Sequence, residues 1–120
     1  MIIAAVIAAG AVGAVIRYLV SKAFASPTRS FPWAVLVVNV VGSAIAGAVV
    51  GFAVTQGVSS DVRLALVTGL CGGLTTFSTL SVETVQLTID GKWRIAAASV
   101  AANLVLGVAA AASAYALVTG

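Results

Sequence analysis

The chain has 120 residues, of which 62% are hydrophobic and 8% charged, with no histidine, one cysteine and a formal net charge of +3. A soluble domain carries about 25% charged residues, so a chain with a mean hydropathy of +1.21 reads as an integral membrane protein. A lone Cys71 and no histidine leave no internal disulfide and no ligand cluster for a transition metal, and the positive charge bears on membrane topology, with no nucleic-acid motif present.

The first apolar run predicts a transmembrane helix over about residues 2–20. It has no charged n-region and no clear cleavage site, which sets it apart from a signal peptide. It carries Gly10, Gly13 and, in its last turn, Arg17. Residues 21–32 hold Pro27, Pro32 and several hydroxyls, and read as a loop. A second span is expected over residues 33–55 and a polar turn over 56–61. The third span is expected over 63–89, then a tight turn at Asp90, Gly91 and Lys92, and the fourth span over 93–118. Each run meets the ~20 residues needed to cross the hydrocarbon core. Trp33 and Trp93 stand at span edges, where indole rings favour the interface. The expected fold is therefore all-α, a single transmembrane domain over residues 1–120. Four bare helices enclose little volume, so a pathway through them needs a second subunit, and a dimer is expected.

The third span is interrupted. Residues 69–79 read GLCGGLTTFST, with three glycines and four hydroxyl residues in mid-membrane. Glycine weakens a helix, and hydroxyls in hydrocarbon need partners. Irregular backbone at that depth is tolerated only where it is buried in protein or lines a cavity, so the stretch marks an ion or substrate path. If the helix resumes after the glycines, Thr76, Thr79, Glu83 and Gln86 form one polar stripe with Ser78 beside it. Such hydroxyls and amides offer donors to an anion without fixed positive charge, which suits passage over tight binding. Glu83 is the one acidic residue within a span: either it is functional, as intramembrane carboxylates are by default, or it reaches interfacial water and pairs with a basic residue. Arg17 likewise either snorkels to the interface or draws an anion into a vestibule. Phe77, read from the residues alone, is a packing side chain.

Along span two, Asn39, Ser43, Gly47 and Gly51 recur every four residues, and Ser99, Asn103, Gly107 and Ala111 repeat the arrangement in span four. Small residues at this spacing let helices approach closely, which accounts for Ser43, Gly47, Gly51, Gly107 and Ala111. Asn39 and Asn103 carry more hydrogen-bonding capacity than packing needs and are read as functional.

These residues resemble the small fluoride channels of the Fluc or CrcB family. The match is carried by Gly72, Gly73, Leu74, Thr75, Thr76, Phe77, Ser78 and Thr79, followed by Ser81 and Glu83. Gly10, Gly13, Ala14, Arg17 and Tyr18 resemble the family's first span. Val38, Asn39 and Gly42 resemble its second, and Asn103 with Gly107 its fourth. The resemblance implies an antiparallel, dual-topology dimer with two fluoride pores, in the plasma membrane of a prokaryotic-type cell. It also implies a structural, untransported sodium ion held by backbone carbonyls of Gly72 and Thr75. Phe77 would be the first of two pore phenylalanines. Ser78 and Thr79 would lie in the polar track, Asn39 would be a pore-facing amide, and Ser99 and Asn103 would be pore residues of the fourth span. Thr76, Arg17 and Glu83 are candidate supports. The second pore phenylalanine is absent, because position 80 is Leu80, so either a partner subunit supplies the missing ring or this pore is altered.

The expected function is passive export of fluoride, lowering its toxicity. A small four-helix multidrug transporter would want a carboxylate deep in an early span, and spans one and two have none. A purely structural assembly subunit leaves the hydroxyl cluster unexplained, and an enzyme would lack a nucleophile–base set or a metal site. Of the six Lys and Arg residues, Arg17, Lys22, Arg29, Lys92 and Arg94 belong to one side and only Arg63 to the other. Cytoplasmic loops are enriched in Lys and Arg, which puts both termini outside. That bias, with Leu80, predicts a homologous partner chain of opposite orientation.

Overall fold

In the computed structural model, which describes residues 1–25 and 31–120, the described chain is helical apart from short connections. Helix α1 (Ile2–Ala23) and α2 (Trp33–Thr55) are followed by a composite third span, Ser60–Ile89. That span consists of α3 (Ser60–Arg63), a π-helical stretch (Leu64–Cys71), α4 (Gly72–Leu74) and α5 (Phe77–Ile89). Helix α6 (Trp93–Thr119) completes the four helices that, among the described residues, are long and apolar enough to cross a membrane. Helix α1 runs on to Ala23, beyond the predicted residue 20, because nothing in Ser21, Lys22 and Ala23 stops it. Pro27 and Arg29 lie outside the described residues.

The ends follow from local chemistry. Pro32 caps α2, its ring filling a position where no N–H is needed. The Ser59 hydroxyl accepts from the Val62 N–H at 3.2 Å and starts the third span. Gly91, at φ +79°, turns the chain between α5 and α6, and the Lys92 N–H reaches back to the Leu87 carbonyl at 2.8 Å.

Packing divides the helices into two partnerships. The most extensive contact joins α2 and α6, where small residues bring backbone to backbone. A methyl added to Gly47 would run into the Ala111 backbone, and one on Gly51 would press on Val118 and the Tyr115 carbonyl. The second partnership sets α1 against the π-helical stretch and α4 through Gly13, Gly69 and Gly73, whose missing side chains leave room for Leu70, Val6 and Gly10 backbone atoms. After α4 the third span changes partner, and α5 lies on α6. Large apolar side chains such as Ile3, Val12, Leu104 and Leu117 stay exposed on the outside, as lipid contact requires.

The break in the third span is not at the glycines. Gly72 is helical, with φ −62° and ψ −38°. The helix is lost instead at Thr75 (φ −81°, ψ 157°) and Thr76 (φ −148°, ψ 118°), both extended. The reason is physical: β-branched residues tolerate the extended region well, Thr75 closes the last turn of α4 on the Cys71 carbonyl, and Thr76 finds partners outside the helix. Gly69 and Gly73 of this span serve close packing against α1.

Candidate functional site

Thr76 is the hub of the break. Its hydroxyl accepts from the Thr79 N–H at 3.0 Å and so caps α5, and it donates to the Thr79 hydroxyl at 3.0 Å. The Ser78 hydroxyl stands 3.4 Å away. One residue earlier, the Thr75 N–H and hydroxyl both donate to the Cys71 carbonyl at 2.8 Å, closing the preceding helical turn.

From α2, Asn39 grips the Thr76 backbone on both sides. Its Oδ1 accepts from the Thr76 N–H at 2.9 Å, and its Nδ2 donates to the Thr76 carbonyl at 3.3 Å. The same Nδ2 donates to Asn103 Oδ1 on α6 at 2.9 Å, and Asn103 Nδ2 donates to the Ser99 carbonyl at 2.8 Å. The Thr76 N–H can only donate, so the orientation of both amides is fixed along the chain. Thr76 (6% exposed), Asn103 (8%) and Ser99 (1%) are all buried, at a depth where an unmet polar group is costly.

Three cavities meet along this polar line. One of about 410 Å³ is lined by Asn39, Ser43, Thr76, Phe77, Leu80 and Asn103. A second of about 240 Å³ joins Arg17 and Ser21 to Thr76 and Thr79. A third of about 340 Å³ joins Ser21 and Thr79 to Glu83, Gln86 and Trp33. Thr76 is a wall of the first two and Thr79 of the last two. The structure thus brings together Asn39, Thr76, Ser78, Thr79 and Asn103, with Arg17 and Glu83 on flanking cavities. Glu83 Oε1 is buried without a hydrogen-bond partner. Ser99 joins through its carbonyl; its hydroxyl is buried and unpartnered. The Phe77 ring is 82% exposed on the single chain, and Ser78 and Thr79 are exposed beside it.

The carbonyls of Gly72 and Thr75 share one property. In an unbroken helix the Thr76 N–H would serve Gly72 and the Thr79 N–H would serve Thr75. Both donors are committed to side chains instead, to Asn39 Oδ1 and to Thr76 Oγ1. Two carbonyl oxygens relieved of their helical donors suit a hard cation, so the residues present fit a sodium site.

Two residues of this centre escape sequence reading. Gly42 reads as part of a motif, yet its absent side chain is what admits the Thr75 methyl against α2. Ser43 reads as packing and contacts Gly107, but it also lines the Asn39 cavity. Its position one turn after Asn39 was the available signal.

Four spans and a polar break in the third, with cavities along it, define a multi-pass helical membrane protein. The chain belongs to the CrcB family: residues 4–115 match the family described as CrcB-like protein, Camphor Resistance (CrcB). It is 44% identical over 110 residues to the fluoride-specific ion channel FluC of Nitrobacter winogradskyi, covering 90% of this chain and 87% of that one. It is 43% identical over 112 residues to FluC of Agrobacterium fabrum, covering 90% and 88%. Against FluC 1 of Mycobacterium tuberculosis the identity is 44% over 114 residues, covering 90% and 83%. With its family and four spans, it is a multi-pass protein of the plasma membrane.

Proposed function

We propose that this chain is a subunit of a fluoride-selective channel that lets the anion leave the cytoplasm passively, and that it is not an enzyme. The observation that carries this reading is the neutral donor cluster of Thr76, Ser78 and Thr79 at the N-terminus of α5. Fluoride holds its water tightly, so a pore must offer closely spaced O–H and N–H donors in exchange. A helix N-terminus adds partial positive charge without a fixed cation that would trap the ion. Fluoride that has entered as neutral HF ionises inside, and a negative-inside potential drives the anion out by about 2.3 kcal/mol per 100 mV.

The ion path runs past Asn39, Phe77, Ser78, Thr79, Ser99 and Asn103, and the edge of the Phe77 ring turns its positive rim to the anion. Asn39 reaches an ion by yielding its longest bond, the 3.3 Å one to the Thr76 carbonyl. An antiparallel second subunit completes the path. Its support is the exposure of Phe77, Ser78 and Thr79 on the single chain, since hydroxyls turned to lipid lack partners. Sodium is bound structurally at the carbonyls of Gly72 and Thr75. The charge bias, with Lys22, Lys92 and Arg94 at one end of the spans and Arg63 at the other, together with Leu80, favours a homologous partner of opposite orientation. Fluoride efflux from liposomes tests this. The chain alone is expected to give weak efflux, and the chain with such a homologue strong efflux. Strong efflux by the purified chain alone, with termini accessible from both sides, would restore a dual-topology homodimer.

A further inference from the structure

We propose that Asn39 is the residue that holds the third span open, by taking the Thr76 amide hydrogen that a continuous helix would give to the Gly72 carbonyl. Nothing in the backbone of residues 72–77 forbids a helix: there is no proline, and Gly72 already has helical angles. Threonine is a modest helix former, and two of them cost a helix little. In hydrocarbon that cost is small beside the penalty for leaving an N–H or C=O unpaired. A span left to itself would therefore close through Thr75 and Thr76. Asn39 changes the balance by offering the Thr76 backbone an acceptor at 2.9 Å and a donor at 3.3 Å, which replaces the peptide pairing that the helix would have supplied.

The clamp is itself aimed by α6. Asn103 spends its Nδ2 on the Ser99 carbonyl and so presents Oδ1 to Asn39. Asn39 must then meet it with Nδ2, which leaves Oδ1 for the Thr76 N–H. Gly42, one turn further along α2, admits the Thr75 methyl and lets the extended segment lie close. Asn39 is thus a positioning residue: it acts on the Gly72 carbonyl through the Thr76 backbone, and its effect on sodium, which rests on the proposed sodium site, is indirect.

The test is magic-angle-spinning NMR of the reconstituted full chain, reading Cα and Cβ secondary shifts of Thr75 and Thr76, with sodium affinity measured separately by calorimetry. In the parent protein both threonines are expected to show extended shifts. In Asn39→Ala they move to helical values, and sodium affinity falls roughly 10- to 100-fold, the range for residues that orient metal ligands from behind. Asn39→Asp keeps an acceptor for the Thr76 N–H, so the shifts stay extended while the Thr76 amide proton resonance moves with the change of acceptor. Extended threonine shifts in folded Asn39→Ala would overturn the proposal. If Asn39→Ala does not fold, Asn39→Asp decides, and an unmoved Thr76 amide resonance there rejects the clamp. Absence of sodium binding by the parent protein would remove the sodium site alone, because the threonine shifts still report on the break.

Discussion

Along α2 and α6, glycine, alanine, serine and asparagine at four-residue spacing make a straight seam in which Gly47 meets Ala111 and Ser43 meets Gly107. In the third span the same kinds of residue accompany a π-helical stretch, an extended pair and a change of packing partner. Composition does not separate the two regions. They differ in where side-chain donors and acceptors go: on the seam they join helix to helix, whereas at Thr76 and Thr79 side-chain oxygens take the backbone N–H groups that a helix would use. A small polar residue in a membrane helix is therefore a packing element or a helix breaker according to what faces it.

The seam breaks first. Gly47→Val places branched carbons where the Ala111 backbone stands, and is expected to cost about 3 kcal/mol, the upper part of the range for overpacking. Denaturant unfolding of the purified protein measures it. Gly72→Ala is the matched control from the interrupted span: its nearest contact would be the Val67 carbonyl at 4.0 Å, and alanine favours a helix by about 1 kcal/mol, so stability holds or rises.

Thr76→Val removes the α5 cap, about 1 kcal/mol of stability, and lowers fluoride efflux as well. Thr79→Val should separate the two effects. Its N–H still donates to Thr76, and the Thr76 hydroxyl, which loses its acceptor on Thr79, has the Ser78 hydroxyl 3.4 Å away, so unfolding changes less than in Thr76→Val. If the lost hydroxyl withdraws about 1.4 kcal/mol of ion stabilisation, efflux falls ~10-fold. Normal efflux in Thr79→Val would take that hydroxyl out of the path. Phe77→Ile keeps apolar bulk and loses the ring edge, with a smaller loss of efflux expected and no change in unfolding, since the ring is 82% exposed on the chain. The smallest effect is on sodium coupling: if the carbonyl site proposed for sodium is structural, reversing the sodium gradient across the liposome leaves efflux unchanged. Efflux that scales with that gradient would contradict it.

Much of this was legible in the residues, for reasons that can be named. Uninterrupted apolar length marks a span whatever its surroundings, and the string from Gly72 to Thr79 is specific enough to carry a family. The interruption was legible as the stretch 69–79, but the residues within it at which the helix is lost were not. Glycines look like the weak point because their cost is local, whereas Thr75 and Thr76 leave the helix because of an amide 37 positions away in sequence. Pairings of that range, such as Asn39 with Asn103, depend on how helices stack. The grouping of Asn39, Ser43, Gly47 and Gly51 on one face was readable from spacing, but spacing could not say that the face ends in a clamp.

The close approaches made by glycine also bear on which second mutations can repair a first. At Gly73 and Gly47 the obstacle is main chain, the Gly10 carbonyl and the Ala111 backbone. Main chain does not shrink, so no single replacement across the contact restores a lost fit, and genetic suppressors of changes at these two positions should be absent from the facing side chains. At Gly42 the obstacle is the Thr75 methyl, which one substitution removes. Gly42→Ala should therefore be rescued by Thr75→Ser, which keeps the hydroxyl that bonds the Cys71 carbonyl. In a large set of homologous sequences these two positions would then vary together, while Gly47 and Gly73 would simply not vary.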